Sequence, residues 1–529
     1  MKNIIIGGAW PYANGSLHIG HIAALLPGDV LARYYRAKGE RVFYVSGSDC
    51  HGTPITIRAS REGRSPAEIS EQYHAEFCEV FARLGFSYDR YGKTTDPAHK
   101  AFVRRFHQTL YESPYVEERR VRQAYCPNCQ KVLADRLVVG LCPRCGAFTR
   151  GDQCDGCGEV LDADALREPR CADCGTELRF GESTQLFLKI SALENELRDY
   201  LNAHPHWRKN AVAFTKRYID EGLRDRAITR DLDWGIDVPK AGYEQKKIYI
   251  WAENVLGYLS CVEKLCEERG LPFREVCGRD ADTISYYVHG KDNIPFHTII
   301  LPSMLLAQGG GWRLPDEIIS SEYVTLEGRK ISTSQNWAVW AGDLAERYDP
   351  DAIRYFFLAN GPEKRDTDYS AREFREQVNS ELVGAWGNLV HRTLAFAEKY
   401  LDRALPRTEL DPALRARTVF LYDEIGEKIQ RGALKDALET AFAFVRFGNK
   451  YYDEHQPWKT RQSDPEACRR TIAACLYLIA NQAVLLAPFL PFSSEKLIRW
   501  MGLRRDWREQ EARTERLAED YAVLFQRIE

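Results

Sequence analysis

A run of Cys-x-x-Cys pairs between residues 126 and 174 constrains the fold of this chain more than any other feature. A Cys-x-x-Cys turn directs two thiolates at one ion, and four thiolates complete a tetrahedral zinc site. The eight cysteines therefore predict one or two zinc ions that stabilise a small module, with reduced thiols or redox pairs as the alternative. The pairs are Cys126/Cys129, Cys142/Cys145, Cys154/Cys157 and Cys171/Cys174.

Loop length favours one arrangement of these pairs. The gap between the second and third pairs is only 8 residues, and closing a short loop costs the least entropy. Other pairings stay open. A zinc ion with four thiolates has no free position, so both sites are expected to be structural. We expect a first zinc on Cys142, Cys145, Cys154 and Cys157, and a second, outside it, on Cys126, Cys129, Cys171 and Cys174.

The composition is that of a globular protein and argues against several other classes. A length of 529 residues suggests about two to four domains, and the odd total of 15 cysteines argues against a disulfide framework. The net charge of −3 requires any nucleic-acid-binding charge to be gathered locally. No run approaches the roughly 18 apolar residues of a membrane helix, and the apolar start is too short for a secretory signal. We therefore expect a cytoplasmic protein with no membrane partner.

The chain begins with the pattern of a parallel α/β sheet. Residues 3–7 and 42–45 are predicted strands. Residues 17–39 between them form a predicted amphipathic helix that ends at Gly39. A strand–helix–strand order is typical of parallel sheets, so the first hundred or so residues predict one half of such a domain.

The same pattern resumes beyond the cysteine-rich stretch. Residues 283–293 are a predicted strand and residues 298–307 a predicted helix. The sequence therefore predicts a split α/β domain, interrupted by an insertion at roughly residues 117–229.

From about residue 366 the pattern changes to long helices. Apolar residues recur there every three or four positions, which places them on one face of a helix and predicts a C-terminal bundle. The two clearest series are Phe374, Val378, Leu382, Ala385 and Leu389, and Leu434, Leu438, Phe442 and Val445.

Two histidines near the start, His18 and His21, stand where the first predicted helix begins. They can be no more than polar residues at a helix start. Alternatively, they donate hydrogen bonds to a phosphate, since a helix N-terminus attracts anions, and Gly20 leaves room for a nucleotide against the backbone. The second interpretation predicts another basic element for the remaining phosphates. The stretch GRKISTSQ, with Arg329 and Lys330, is the candidate.

These two motifs belong to a longer series that resembles the class I aminoacyl-tRNA synthetases, and more narrowly the methionyl-tRNA synthetases, over essentially the whole chain. The resemblance implies that methionine and ATP form an enzyme-bound methionyl-adenylate and pyrophosphate. The methionine then passes to the 3′ end of tRNA(Met), for translation initiation and elongation. The stretches that carry the resemblance are AWPYANGSLHIGH, SGSDCHGTPI, the cysteine pairs, RDLDWGIDVP, HGKDNIPFH, YVTLEGRKISTS, WGNLVHR and DEHQPWK.

The resemblance also implies the architecture. It is an α/β fold in which a split Rossmann-like parallel-sheet catalytic domain carries an inserted zinc-knuckle connective domain and a C-terminal α-helical anticodon-binding bundle. The expected divisions are 1–116 and 230–320 for the two catalytic halves, 117–229 for the insertion, 321–365 for the Lys-Ile-Ser-Thr-Ser loop and stem-contact region, and 366–529 for the bundle.

The family's functional residues map onto this sequence in four groups. Asp49 would hold the substrate ammonium and Asp292 the ribose hydroxyls, while Mg²⁺ would accompany ATP. The implied catalytic residues are His18, His21, Lys330 and Arg230. The implied ATP contacts are Tyr12, His18, Gly20, His21, Gly290, Asp292, Lys330 and Thr333. The implied methionine contacts are Trp10, Asp49, Tyr258, Phe296 and His297, and the implied anticodon readers are Asn388, Arg392 and Trp458.

The sequence departs from the family pattern at three places. The family's second loop lysine is replaced by Thr333, which supplies no charge; Arg329 or Lys330 would have to compensate. Leu301 stands where tryptophan is common and Trp10 where leucine is common, which suggests that the two sides of the methionine pocket are exchanged. The family's usual Asp-Ala is Glu253-Asn254 here, at the expected pocket floor.

Methionine, ATP and tRNA(Met) are the implied partners, with no DNA and no membrane, and a monomer is expected. Two alternative functions stay open. One is a non-catalytic tRNA-binding relative, which the loss of charge at Thr333 favours. The other is a synthetase of altered amino-acid specificity. A zinc-finger DNA-binding module is more distant, because the cysteine pairs lack a basic recognition helix.

Overall fold

The computed structural model describes residues 1–133, 137–151, 154, 156–157, 161, 163–332 and 337–529. The first part of the chain alternates strands and helices, as the sequence predicts. These elements are β1 (Asn3–Gly8), α1 (Ile19–Ala37), β2 (Arg41–Ser48), α2 (Thr53–Glu62), α3 (Pro66–Arg83), β3 (Arg90–Lys93) and α4 (Pro97–Tyr111).

The inserted region is built on an antiparallel ribbon of two long strands, β4 (Val116–Cys126) and β9 (Arg179–Leu188). A small sheet with the strand order β7-β6-β8 lies between them in sequence and carries cysteine pairs. The remaining elements of the insertion are β5 (Lys131–Val132), β6 (Val138–Leu141), β7 (Phe148–Arg150), β8 (Arg167–Cys171), α5 (Glu194–Asn202), α6 (Lys209–Asp220), β10 (Arg226–Ala227) and β11 (Thr229–Arg230).

After the insertion the chain returns to the first sheet. A π-helical segment, Phe296–Ile300, leads directly into α10, so the predicted helix at 298–307 is helical throughout. The elements are β12 (Lys247–Ile248), α7 (Ile250–Asn254), α8 (Gly257–Arg269), α9 (Arg274–Cys277), β13 (Thr283–Gly290), α10 (Leu301–Ala307), β14 (Glu317–Ser321), β15 (Val324–Leu326), β16 (Arg329–Lys330), α11 (Ala341–Arg347), α12 (Pro350–Ala359) and β17 (Thr367–Tyr369).

One five-stranded sheet joins the two halves. Its order is β14-β13-β1-β2-β3, and every neighbouring pair is parallel. Alternate residues of β1 face opposite sides: Ile4 and Ile6 pack into one apolar cluster and Ile5 into another. Helices therefore cover both faces, as a buried parallel sheet requires. The predicted split Rossmann-like domain is confirmed.

The C-terminal part is a helical bundle, also as predicted. The apolar series that begins at Phe374 passes through a π-helical segment, Val378–Gly387, before regular helix resumes. Its spacing, mostly four residues, suits this wider turn better than a strict 3.6-residue helix. The helices are α13 (Ala371–Gln377), α14 (Asn388–Tyr400), α15 (Pro412–Gln430), α16 (Leu434–His455), α17 (Pro457–Ser463), α18 (Pro465–Leu486) and α19 (Pro491–Met501).

A buried arginine fastens the bundle to the sheet domain. Arg354 of α12 donates to the Asp29 carboxylate of α1 at 2.7 Å, and to the carbonyls of Pro488 and Phe489, which follow α18, at 3.2 and 2.8 Å. Burial by itself would raise the pKa of Asp29, but the Arg354 guanidinium helps to outweigh it and the pKa falls to about 2. Both side chains are fully buried, and Asp29 also pairs with Arg33 of its own helix at 2.7 Å, so one carboxylate serves two guanidinium groups.

None of the helices in the described part of the chain is both long enough and apolar enough to cross a membrane.

Candidate active site

The predicted nucleotide and methionine residues gather where the parallel strands end. Trp10 and Tyr12 follow β1, Asp49 follows β2, and Asp292 follows β13. Tyr323 follows β14 in the same way. Ligands of open α/β sheets bind at the carboxyl ends of the strands, so this edge is the candidate active site.

His18 and His21 form a hydrogen-bonded cap at the N-terminus of α1. The Gly20 amide donates to Nδ1 of His18, and the His18 amide donates to Nδ1 of His21, each at 3.1 Å. The two ring centroids are 4.0 Å apart. In a neutral imidazole the nitrogen that accepts carries no proton, so each ring keeps its Nε2–H as a donor. Two such donors at a helix N-terminus are suited to bind an anion.

Burial keeps both imidazoles neutral in the ligand-free protein. It lowers the pKa of His18 to about 4 and lowers that of His21 well below its usual value. Gly20 is needed by this cap itself, because a Cβ there would lie 2.8 Å from Cε1 of His18. The space expected for a nucleotide is thus partly filled by the His18 ring.

The chain that follows the Lys330 loop is fastened to the histidine cap. The amide of Ile19 donates to the carbonyl of Val339 at 3.0 Å. Lys330 itself is exposed in β16, which forms a hairpin with β15. The predicted ATP contact of Thr333 lies outside the described residues.

The two cations of this hairpin lie on aromatic rings. The Arg329 guanidinium is 4.6 Å from the Trp337 centroid, and Nζ of Lys330 is 5.2 Å from the Tyr323 centroid. No carboxylate of the described residues lies within ion-pair distance of either cation. A ring attracts a cation without cancelling its charge, so both side chains stay net positive.

Asp49 is a buried carboxylate with a free oxygen. Its Oδ1 accepts the His51 amide at 3.3 Å, while Oδ2 has no partner among the residues described. Burial raises the pKa of Asp49 well above its usual value, and the nearby Glu253 carboxylate adds to this. Such a carboxylate gains most from a cationic partner, and an ammonium ion would supply one.

A second buried carboxylate lies behind Asp49. Oε1 of Glu253 is 2.5 Å from Nδ1 of His51 and 3.9 Å from Nε2 of His99, and all three side chains are buried. Glu253 was predicted only as a departure from the family pattern at the pocket floor, and His51 and His99 were not predicted as site residues. The signal available for His51 was its place in SGSDCHGTPI, two residues after Asp49.

Trp10 occupies a slot that glycines create. A Cβ at Gly47 or Gly257 would lie 2.6 or 2.5 Å from its indole ring. Tyr258 meets the indole edge-on, with centroids 6.4 Å apart. Leu301 is fully buried in the same apolar cluster as Trp10. The exchange of the two pocket sides stays a prediction, since it concerns the distance to bound methionine.

Tyr258 and His297 form one fixed pair. Nδ1 of His297 donates to the carbonyl of Asn293 at 2.8 Å, so its Nε2 accepts the hydroxyl of Tyr258 at 2.9 Å. Burial lowers the pKa of His297 to about 4, which keeps this ring neutral and the tautomer constant.

Phe296 has an aromatic partner that the sequence analysis missed. Its ring stacks on Trp251 with centroids 3.6 Å apart and planes 8° from parallel. Tyr12 contacts the same indole edge-on at 6.0 Å. Trp251 therefore connects the predicted methionine and ATP contacts. It lies 45 residues before Phe296 in the sequence, and no periodic pattern links the two.

At the end of β13 the structure leaves space beside a carboxylate. Asp292 accepts the hydroxyl of Tyr323, and a Cβ built on Gly290 would meet nothing within 4 Å. Arg230 is held elsewhere: it donates to the carbonyls of its own segment at 2.9 and 3.1 Å and lies 4.3 Å from the Tyr249 centroid. None of these contacts joins Arg230 to the other predicted catalytic residues.

The predicted anticodon residues meet on the bundle. Asn388 and Arg392, one turn apart on α14, both bond Asn449 of α16, at 3.4 and 2.7 Å. The Arg392 guanidinium lies 4.1 Å from the Tyr452 centroid, and Trp458 stacks on the same tyrosine at 5.8 Å. We call these five residues the Trp458 platform. Its indole is 44% exposed, which leaves a ring face for another molecule.

The eight cysteines form two separate groups, paired as loop length favoured. Within each group all four sulfur atoms lie within 4.8 Å of one another, so each group could hold a metal ion. Five of the sulfur–sulfur distances within the two groups run from 3.5 to 3.9 Å. The groups are Cys126, Cys129, Cys171 and Cys174, and Cys142, Cys145, Cys154 and Cys157.

Comparison with known proteins covers both parts of the chain. The family described as tRNA synthetases class I (M) matches residues 4–394, and the family described as the anticodon binding domain of methionyl tRNA ligase matches residues 411–524. Methionine–tRNA ligase 1 of Alkaliphilus oremlandii is 51% identical, over 100% of this chain and 97% of its own length. The methionine–tRNA ligase of Bacillus mycoides is 50% identical with the same coverage.

A solved structure shares the fold over the full length. It is a Mycobacterium tuberculosis methionyl-tRNA synthetase in complex with methionyl-adenylate, with a TM-score of 0.82, 24% sequence identity, and 100% of both chains covered.

Proposed function

The chain belongs to the class I tRNA synthetases for methionine, and from this premise we propose how its own residues activate methionine with ATP and transfer it to tRNA(Met). The observation that carries the proposal is the gathering of His18, His21, Asp49 and Asp292 at one edge of the parallel sheet. Full-length relatives at 50–51% identity support the choice of amino acid.

The first step needs electrostatic help and no protein base. An oxygen of the methionine carboxylate attacks the α-phosphorus of ATP, and the bond from that phosphorus to the pyrophosphate oxygen breaks. We assign the Nε2–H donors of His18 and His21 to the α-phosphate oxygens, where negative charge grows. Lys330 neutralises the departing pyrophosphate, and Mg²⁺ accompanies the phosphates.

We propose that methionine binds at the carboxyl ends of the strands, between the Asp49 carboxylate and a set of aromatic side chains. The free Oδ2 of Asp49 accepts the ammonium. Trp10, Tyr258, His297 and Phe296 surround the thioether, which packs favourably against aromatic rings. Asp292 accepts the ribose hydroxyls beside the open space at the end of β13. Arg230 has the weakest support in this set, since its contacts lie within its own segment.

We assign the charge missing at Thr333 to Arg329. Its guanidinium lies on Trp337, four residues past Thr333, and has no carboxylate partner among the described residues. Lys330 already serves the pyrophosphate, so Arg329 is the remaining cation of the hairpin. Arg329→Gln is therefore expected to lower the exchange activity by more than the removal of an exposed charge outside the site would.

The Trp458 platform reads the CAU anticodon in this proposal. Its exposed indole stacks on one base, and the amide of Asn388 with the guanidinium of Arg392 reads base edges. Proteins that recognise single-stranded RNA combine stacking on an aromatic face with hydrogen bonds from a fixed arginine.

We propose that both cysteine groups hold zinc. Four thiolates at a Zn–S length of about 2.3 Å stand about 3.8 Å apart in a regular tetrahedron. The observed sulfur–sulfur distances of 3.5 to 3.9 Å match that value. The purified protein is expected to contain about two zinc ions per chain, measured by elemental analysis. Cys171→Ser should remove one of them, while Cys78→Ser, outside both groups, should remove none.

The chain is divided into five parts in this proposal, and it acts as a monomer. We place the domain divisions at residues 1–116, 117–229, 230–320, 321–365 and 366–529, and expect a cytoplasmic monomer. Sedimentation of the purified protein tests the oligomeric state, and limited proteolysis tests whether cleavage falls near these divisions.

Methionine-dependent exchange of radioactive pyrophosphate into ATP tests the central activity. Exchange should require methionine rather than leucine, isoleucine or valine, and charging of tRNA(Met) should follow. A zinc-loaded protein that binds tRNA(Met) without any exchange would be the non-catalytic alternative. Exchange with another amino acid in preference to methionine would instead identify an altered specificity.

A further inference from the structure

Tyr323 stands between two parts of the ATP site. It is the second residue after β14 and directly precedes β15, whose hairpin partner β16 carries Lys330. Neither the motifs nor the mechanism above gives this tyrosine a role. Its side chain nevertheless contacts Asp292, Lys291 and Lys330.

The hydroxyl of Tyr323 fixes one oxygen of Asp292. The phenol donates to Oδ1, and no other hydrogen bond to this carboxylate is present among the described residues. Burial and the adjacent Asp292 carboxylate raise the pKa of Tyr323, so the hydroxyl keeps its proton and remains the donor. One carboxylate oxygen is thereby held in place and the other is left for a ligand.

The ring of Tyr323 attracts two lysines of different character. Nζ of Lys291 lies 3.8 Å from the centroid and also pairs with Glu322 at 2.7 Å and Asp366 at 2.9 Å, so its charge is compensated. Nζ of Lys330 lies 5.2 Å from the centroid and has no carboxylate partner in the described part of the chain.

This difference matters because Asp292 is nearby. An uncompensated lysine beside a carboxylate tends to pair with it, which would remove both the cation from the phosphates and the acceptor from the ribose. Here the phenol hydroxyl occupies Asp292, and the ring offers Lys330 an attraction that leaves its charge intact.

We propose that Tyr323 is a positioning residue for ATP, in which the hydroxyl orients Asp292 toward the ribose and the ring holds Lys330 for the phosphates. The inference rests on the proposed roles of Asp292 and Lys330. It adds a physical connection between ribose recognition and phosphate recognition.

Two substitutions separate the two roles. Tyr323→Phe removes only the hydroxyl, whereas Tyr323→Leu removes the ring as well. Tyr521→Phe is the matched control, because Tyr521 also donates to a carboxylate, Glu398, but in the C-terminal segment. Methionine-dependent exchange is measured for each variant with ATP, 2′-deoxy-ATP and 3′-deoxy-ATP.

Tyr323→Phe should lower kcat/KM for ATP by about tenfold, as for a lost hydrogen bond to a charged group, with the change mainly in KM. The loss should be much smaller for the deoxy nucleotide that lacks the hydroxyl bound by Asp292. Tyr323→Leu should lower kcat by about threefold more, the size of an exposed cation–π contact. Tyr521→Phe should change neither.

Equal losses with ATP and both deoxy nucleotides would overturn the ribose role, since a general structural defect affects all three alike. Equal kcat values for the Phe and Leu variants would overturn the ring role. Calorimetry of ATP and deoxy-ATP binding without methionine repeats the first comparison independently of the reaction. If the wild-type protein bound ATP but catalysed no exchange, the proposed function would be contradicted. The binding measurements would still test the role of Tyr323 in ribose recognition.

Discussion

The sheet edge and the Trp458 platform recognise their ligands through opposite arrangements. At the sheet edge Asp49 and His297 are buried and His18 is half-buried, and both imidazoles are bonded to the backbone: Nδ1 of His18 accepts an amide, and Nδ1 of His297 donates to a carbonyl. On the platform the groups lie on helix surfaces, and Trp458 is 44% exposed. Arg392 is positioned there by side chains, pairing with Asp453 at 2.8 Å.

The difference follows from what each region has to bind. Stabilising charge on a reacting phosphate requires donors that do not move, and the backbone hydrogen bonds of His18 and His21 hold these donors in place. Stacking on an RNA base requires an open ring face, which a surface helix provides. The two regions are therefore expected to respond to different assays, exchange for the first and tRNA charging for the second.

Removing the connection between the two regions should have the largest effect. Arg354→Leu removes one of the two cations that pair with the buried Asp29 and the donor to the carbonyls of Pro488 and Phe489, so the free energy of unfolding should fall by about 3–5 kcal/mol. Arg198→Leu, at an exposed pair with Asp220, should cost under about 1 kcal/mol. Denaturant titration measures both. A small effect of Arg354→Leu would mean that apolar packing and the other polar contacts, such as the hydrogen bond from Gln430 to Tyr34, hold the two parts together without Arg354.

Substitution of His21 should disable the sheet edge selectively. His21→Ala removes one Nε2–H donor, and losing such a donor typically lowers kcat by about 10²–10³. Exchange and charging should fall together, because both need the adenylate. His206→Ala, an exposed histidine away from the edge, should retain full exchange. If His21→Ala exchanged normally, the phosphate role of this pair would be wrong.

Substitution of Trp458 should affect only the platform. Trp458→Ala removes a stacking surface worth about 1–3 kcal/mol per base, so kcat/KM for tRNA should fall roughly tenfold to a hundredfold. Exchange without tRNA should be unchanged, and Trp458→Phe should recover part of the loss. A parallel drop in exchange would show that the two regions are not separable.

The smallest expected effect concerns protons at the edge. Burial gives His18 a pKa of about 4 in the free protein, and the phosphates of ATP should raise it. ATP binding at about pH 5–6 should therefore take up protons and become tighter as the pH falls. Calorimetry in buffers of different ionisation enthalpy measures this uptake. It should decrease in His18→Gln, and an unchanged uptake would place the protonation elsewhere.

The same lowered pKa predicts a dependence of stability on pH. Because His18 binds a proton more weakly in the folded protein, its contribution is fully present above the unfolded value of about 6.5 and is lost as the pH falls toward about 4. His18→Gln should reduce this slope, and the part that remains comes from other buried histidines such as His107 and His297, whose pKa values are also lowered to about 4.

Local patterns predicted much of the fold. Loop length favoured the correct pairing of the cysteines, and the apolar periodicity from Leu434 to Val445 predicted a helix that spans Leu434–His455. Three of the five strands of the parallel sheet, β1, β2 and β13, were also predicted, because each is a short apolar run, whereas β3 and β14 were not. Each of these signals lies in a short stretch of sequence: a loop of 8 residues between two cysteine pairs, a repeat of three or four positions, or a single apolar run.

The contacts of the candidate site were much less predictable. Trp251 and Phe296, His51 and Glu253, and Asp292 and Tyr323 each come from different elements. Motif reasoning could select one member of such a pair, as it did for Phe296 and Asp292. It had no means of finding the partner, since side-chain contact depends on how strands and helices are packed.

The sequence by itself determined the elements, the family and most candidate residues, because propensity, periodicity and short motifs act over a few positions. Only the tertiary structure decided that Arg354 joins the bundle to α1, that glycines make the slot for Trp10, and that Tyr323 contacts both Asp292 and Lys330. Burial and close packing of distant segments create these arrangements, and with them the lowered pKa of His18 and the raised pKa of Asp49.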